Sequence, residues 1–222
     1  MSKINFLRNV AAIVACLAVM TACGGGSSKS GGDATASGSI EANVKAFDIS
    51  ATAFSIKYET DYNTVVFTKD ASGNRKRLDY IASDGASRIY IYDSKADIAR
   101  EYDGQQWKET DRFGNLSVEQ NCNNFYASIK DLSDGYLKAG LAKQADQTIA
   151  GQKCTVIGGT FTEQPFYPYM DLRTGVPVKI AVWNGLTMLL ENDGKTVLEA
   201  KAVTTDVPDE AFTKTAEISW VK

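Results

Sequence analysis

The sequence predicts a mainly β protein with an α insertion, built on one antiparallel sheet. Three observations carry this. Short runs of β-branched and aromatic residues alternate with Gly, Asp and Asn turn signals along most of the chain. Apolar spacing of three and four residues marks one helix over 118–132. Asn184-Gly185 lies between two apolar runs. That dipeptide is the strongest short-range hairpin cue, because both turn residues must accept positive φ.

The chain opens with Met-Ser-Lys-Ile-Asn-Phe-Leu-Arg, then an apolar run from Val10 to Met20, then Thr21-Ala22-Cys23. A basic start, an apolar stretch too short to span a bilayer and a small residue before the cut make a secretory signal over 1–22. With a cysteine directly after Thr-Ala, it resembles a bacterial lipoprotein signal, in which Cys23 is lipidated and becomes the first mature residue. Residues 23–38 are Gly, Ser, Ala and Thr with Lys29 and Asp33. Such a segment buries too little apolar surface to fold and reads as a flexible tether. Residues 39–222 form one domain of ordinary length.

From Ala53 the meander begins. Phe54, Ile56 and Tyr58 alternate with Ser55, Lys57 and Glu59, and Thr64–Thr68 follows as a second strand. Arg77–Ala82, Arg88–Tyr92, Ile98–Tyr102 and Gln106–Lys108 continue it between turns. Arg75-Lys76-Arg77 reads as a solvated hairpin end. Then Val118, Cys122, Phe125, Tyr126, Ile129 and Leu132 share one helical face. Ser117 with Gln120 is a capping box, and Gly135 interrupts the helix. Strands resume near Thr148, over Gln152–Gly158 and Phe166–Leu172. The Asn-Gly hairpin joins Val178–Trp183 to Leu186–Leu190, and Lys195–Thr204 closes the series. A regular two-residue loop pairs Trp183 with Leu186, Ala181 with Met188 and Ile180 with Leu189. Both faces of that hairpin are apolar, whereas a sheet with one wet face alternates. The surplus is core, partner contact or ligand cavity.

Composition excludes several functions. Loss of the signal removes Lys3 and Arg8, so 24 basic side chains become 22 against 27 acidic ones, a formal charge of −5. No clustered basic face favours nucleic acid, and anchoring falls to the lipid on Cys23. There are no histidines, which removes the commonest general base and metal ligand. No enzyme, cofactor or metal is expected. Asp206, Asp209 and Glu210 lack calcium-loop spacing and read as solvated charges. With Cys16 in the signal and Cys23 acylated, Cys122 and Cys154 remain. In an oxidising compartment a disulfide is favoured over two buried thiols. It would close a loop of about 30 residues and stabilise by about 3 kcal/mol.

Three stretches in order carry a family resemblance: Asp146–Val156, Tyr169–Lys179 with its Asp-x-x-Thr-Gly-x-Pro, and Val207-Pro208-Asp209-Glu210-Ala211-Phe212. The pattern resembles the LolA/LolB-like superfamily of periplasmic lipoprotein carriers and the related mycobacterial glycolipid-binding lipoproteins. The resemblance implies a strongly curved antiparallel sheet, an incomplete β-barrel, with helices covering its concave face. It also implies an acyl-bearing ligand, a lipid or a lipoprotein, in that hollow. The expected lining is Phe54, Ile56, Tyr58, Ile89, Ile91, Ile180, Val182 and Leu189, with Phe125 and Ile129 from the helix as lid. The protein is then a monomeric binding module held in the cell envelope through Cys23. Its place is the outer membrane in a diderm, or the outer leaflet of the plasma membrane in a monoderm. The alternative is a sensor or scaffold that uses the same fold for protein–protein contact.

If Cys23 is the anchor, Cys23→Ser releases the protein from membranes or leaves the precursor uncleaved. Detergent phase partitioning reads this directly, and a mutant that partitions like the wild type sinks the idea.

Overall fold

The computed structural model describes residues 49–138, 141–160 and 173–215, with side chains of 131–138 left aside. The signal, Cys23, the tether and the strand expected over Phe166–Leu172 lie outside these residues. All described residues belong to one unit, Val44–Lys222.

The meander forms as expected. It comprises β1 (Phe54–Thr60), β2 (Asn63–Lys69), β3 (Arg75–Ala82), β4 (Ser87–Asp93), β5 (Ile98–Tyr102) and β6 (Trp107–Asp111). A 3-10 turn, Phe113–Asn115, leads into α1 (Leu116–Lys138). The helix therefore starts one residue before Ser117 and runs through Gly135. Ser117 is not the cap, because its hydroxyl bonds the Asn115 side chain. Two short strands follow, β7 (Ala142–Lys143) and β8 (Gln147–Ile149), then β9 (Gln152–Thr160). The chain continues through β10 (Pro177–Trp183), β11 (Leu186–Asn192) and β12 (Lys195–Thr204) to a last 3-10 turn, Asp209–Phe212.

The strands make one antiparallel sheet in the order β6-β5-β4-β3-β2-β1-β12-β11-β10-β9-β7, with β8 on β9. Among the described residues β6 and β7 end the row, and the sheet is open. β12, last in sequence, inserts beside β1 and joins the two meanders. At the β10–β11 turn Asn184 (φ 48°) and Gly185 (φ 81°) both take the left-handed conformation the hairpin requires.

The register beyond that turn differs from the regular one. Trp183 pairs with Leu186, but Ala181 then pairs with Leu189 and Ile180 with Leu190, leaving Met188 as a bulge. Val197 and Lys201 are bulged in β12 in the same way. A bulge bends its strand and sharpens its twist, so the three concentrate bending in β11 and β12.

Cross-strand partners share a face, and the pairings separate the two faces of the first meander. One face carries the row Ile56, Phe67, Leu78, Tyr90. The other carries Ser55, Thr68, Arg77, Ile91, Arg100 and, beside it, Val66, Asp79, Ile89, Tyr102, Trp107. Helix α1 packs on the first face, touching β2 to β5 and also β11. It buries Val118, Cys122 and Ile129 there. One helix, where several were expected, is what the described residues contain.

Tyr58 ties the two meanders together under this layer. Its buried hydroxyl donates to the Thr187 carbonyl at 2.7 Å, reaching across β12. Burial holds that phenol well above its usual pKa, so it stays a donor. Tyr58→Phe leaves a buried carbonyl without this donor and is expected to cost about 1–3 kcal/mol. Urea unfolding at neutral pH measures it, and an unchanged midpoint would show that the bond is not a tie.

Candidate functional site

The expected ligand lining divides between the two faces. Phe54, Ile56 and Tyr58 are fully buried on the α1 side. There an aromatic seam lies beneath the helix. Phe125 lies 6.1 Å from Tyr58 and 5.8 Å from Phe67 between ring centroids. Tyr126 stacks on Phe67 at 5.5 Å and meets Phe54 at 6.2 Å. Ile129 is buried as well. Ile180 shares this face, because it pairs with Leu190, Leu190 with Leu198, and Leu198 with Thr60, two residues from Tyr58. Val182, two residues from Ile180 on the same strand, is also buried.

Ile89, Ile91 and Leu189 do not line that seam. Ile89 pairs with Asp79 and Ile91 with Arg77, both on the opposite face. Leu189 pairs with Glu199, which pairs with Glu59, again opposite. Strand alternation places Ile89 and Ile91 together, but it does not say which face they share with Ile56. For Leu189, the Met188 bulge reverses the side that a regular hairpin gives.

Ile89 and Ile91 form a separate core with Ala211 and Phe212, against which Tyr102, Trp107 and Val207 pack. The C-terminal strap, Val207–Phe212, thus packs on the second face around Ile89 and Ile91. Arginines hold it. Arg77 Nη1 donates to the Ala211 carbonyl at 3.0 Å and Arg100 Nη1 to the Phe212 carbonyl at 3.3 Å. Arg75 lies 4.6 Å over the Phe212 ring and pairs with Asp209 at 2.9 Å. Arg77 itself is fully buried, its Nε donating to both Asp79 carboxylate oxygens at 2.9 Å. The basic triplet is therefore only partly a solvated hairpin end. Asp206, Asp209 and Glu210 are exposed, as expected.

A second buried cation sits where the chain enters the sheet. Lys69 Nζ donates to the carbonyls of Thr52 (2.8 Å), Ser50 (2.9 Å) and Asp70 (3.0 Å), and lies 5.6 Å from the Phe54 ring centroid. These carbonyls take up the charge of an ammonium that burial strips of water. At the start of α1, Arg112 grips Glu119 with two bonds of 2.8 and 2.9 Å. Burial pulls the Glu119 carboxyl up, but hydrogen bonds from Arg112 and Tyr92 hold it below its ordinary pKa.

The cysteine bridge does not form: Cys122 and Cys154 are both free and buried. Cys122 faces the Tyr90 carbonyl of β4, and Cys154 lies on β9 against the Gln152 carbonyl. Six strands separate β4 from β9 in the sheet, whereas a bridge needs Cα atoms within about 7 Å. Burial pushes both thiols up, so neither supplies a thiolate. Among the described residues no group of acidic or cysteine side chains is arranged to hold a metal. No helix among them is long and apolar enough to cross a membrane.

No family matches the chain, and no curated protein does. Among solved structures it is similar to a chain of the Pseudomonas aeruginosa MucA/MucB complex, at 16% identity and a TM-score of 0.43. The match covers 82% of this chain and 62% of that one, so this chain spans less than two thirds of its length.

The buried pair has a pH signature. Burial pushes Asp79 up to about 6 against the pull of Arg77. Below the ordinary carboxylate pKa both folded and unfolded forms are protonated, and the group favours folding fully. As pH rises through about 6 that contribution is lost, so this group lowers stability between roughly pH 4 and 6. Asp79→Ala is expected to remove that slope. At neutral pH it should also destabilise by about 3–5 kcal/mol, because it strands Arg77. Urea melts from pH 4 to 7 test both effects, and a mutant with the wild-type slope refutes the assignment to Asp79.

Proposed function

We propose that this chain is an extracytoplasmic, membrane-tethered and non-enzymatic binding module whose ligand is a protein. The observation that carries the reading is the aromatic seam under α1. Five aromatic rings, from Phe54, Tyr58, Phe67, Phe125 and Tyr126, occupy the space in which an acyl chain would lie. A lipid site needs an apolar hollow shielded from water, at about 0.8 kcal/mol per buried methylene. Rings already in contact leave the helix face packed as a core.

The tether supports the same reading. The lipid on Cys23 would hold the domain near a membrane, and the Gly/Ser segment would let it reach a partner. Exposed apolar residues stand where the helix begins. Phe113 is 75% and Leu116 48% exposed, just beyond edge strand β6. An edge strand offers unpaired backbone groups to another chain.

An acyl ligand is the second reading. It is favoured by the reach of α1 from β2–β5 to β11 over an apolar seam, the arrangement a curved sheet with a helical lid would give. Val182→Trp separates the two. In a filled core the larger ring overpacks and costs about 1–3 kcal/mol. In a cavity it leaves the fold nearly as stable and displaces ligand instead. A thermal melt of the mutant and a fluorescent fatty-acid titration of the wild type are the measurements. Loss of stability with no fatty-acid uptake is expected; saturable uptake, abolished in a stable mutant, reverses the reading.

A further inference from the structure

We propose that the surface beneath the C-terminal strap is a peptide-docking site, occupied at rest by this chain's own Val207–Phe212. A partner would insert an acidic turn segment ending in an aromatic residue in its place. The inference rests on the reading of the chain as a protein-interaction module, and it names the surface and the chemistry of the partner.

The way the strap is held is the first argument. Its turn closes on itself: the Ala211 N–H bonds the Pro208 carbonyl, and just after it the Thr213 N–H bonds the Glu210 carbonyl. Among the described residues no strand pairs with 207–212. Among the described residues the sheet holds the strap through side chains: Arg77 to the Ala211 carbonyl, Arg100 to the Phe212 carbonyl and Arg75 to the Asp209 carboxylate. Lifting the strap therefore breaks no ladder. Main-chain carbonyls are also atoms that any peptide offers, so both donors can serve another segment unchanged.

The second argument is complementarity. The floor is apolar, made by Ile89 and Ile91 with Tyr102 and Trp107 beside them, and it takes one aromatic ring. The rim carries three arginines. Arg75 caps the ring and pairs with Asp209, while Arg77 and Arg100 stand below. Acids also touch these arginines: Asp79 on Arg77, Asp70 on Arg75 and Glu109 on Arg100. The resident sequence Val-Pro-Asp-Glu-Ala-Phe fits that pattern, with its acids exposed and its Phe buried. A tethered copy of the ligand lowers apparent affinity by the fraction of time it occupies the site. The site is thus closed to weak competitors and open to a segment that binds better or arrives at high local concentration.

The test uses the full chain and a capped, fluorescein-labelled peptide of sequence Val-Pro-Asp-Glu-Ala-Phe-Thr. Phe212→Ala weakens the resident segment and leaves floor and rim intact. It is expected to bind the peptide at least about tenfold more tightly than the wild type. A peptide carrying the same Phe→Ala change should not bind. A folded Phe212→Ala chain that takes up no peptide overturns the proposal, as does binding that ignores loss of the peptide's Phe. If Phe212→Ala fails to fold, hydrogen exchange on the wild type decides. The amides of Ala211 and Thr213 should exchange by a local opening, before those of Leu78 and Ile91. Exchange of all four only on global unfolding overturns it. A concentration-dependent dimer that the peptide dissolves assigns the site to a second copy and overturns the partner assignment. Peptide binding with saturable fatty-acid uptake sinks the broader reading alone; partner binding without peptide binding sinks only this one.

Discussion

A sheet with apolar side chains on both faces needs two covers, and most of this architecture answers that constraint. One face would otherwise expose the row Ile56, Phe67, Leu78 and Tyr90, and the other Ile89 and Ile91 among polar neighbours, at about 25 cal/mol per Å² of apolar surface. Helix α1 covers the face of Phe54, Ile56 and Tyr58, and the strap covers the face of Ile89 and Ile91. The two covers are unequal. The helix satisfies most of its own backbone and brings an apolar face of Val118, Cys122, Phe125, Tyr126 and Ile129. The strap is a few residues long and cannot satisfy its carbonyls alone. Arg77 and Arg100 are the consequence, and Asp79 follows because a buried guanidinium needs a counter-charge.

The strands along the chain were legible because turns mark their ends, whereas the insertion of β12 beside β1 was not. Ile98–Tyr102 and Lys195–Thr204 were read to the residue, and Asn184-Gly185 adopts the conformation its chemistry demands. Two-residue β7 lay below anything periodicity can detect. The helix boundary was misjudged for a local reason. Ser117 looks like a cap, but the preceding 3-10 turn supplies the entry and engages its hydroxyl through Asn115. Gly135 costs about 1 kcal/mol in a helix interior, which packing of the preceding face can outweigh.

Faces were less legible than strands. Alternation says that Ile89 and Ile91 share a side, and that Phe54, Ile56 and Tyr58 share one. Only the pairing through β2 and β3 reveals that these sides are opposite. A bulge is harder still. Nothing in Leu186–Asn192 announces that Met188 will drop out of register, yet that single slip moves Leu189 to the other face. Buried charge was the least legible. Arg77 and Lys69 sit in polar turn-flanking sequence, and their burial depends on carbonyls from Ala211 and from 50–52. The cysteine expectation failed through the same distance problem. Two thiols in one compartment invite pairing, but topology placed them over β4 and β9.

Where each cover gets its stability bears on which one can move. The α1 layer is held by ring contacts that reach β1 and β2 and by the Arg112–Glu119 clamp at its start. Displacing it would expose five rings at once and undo the Tyr58 layer that joins the meanders. The strap exposes Phe212 and the floor of Ile89 and Ile91 beside Tyr102 and Trp107 when it lifts, and its anchors Arg75 and Arg100 return to water that can solvate them. Arg75 already pairs near the surface with an exposed Asp209, and such pairs contribute little. Only Arg77 resists, because Asp79 keeps it neutralised beneath the strap. The helix face is thus the structural half of the domain, and the strap face is the half in which exchange of one segment for another is cheapest.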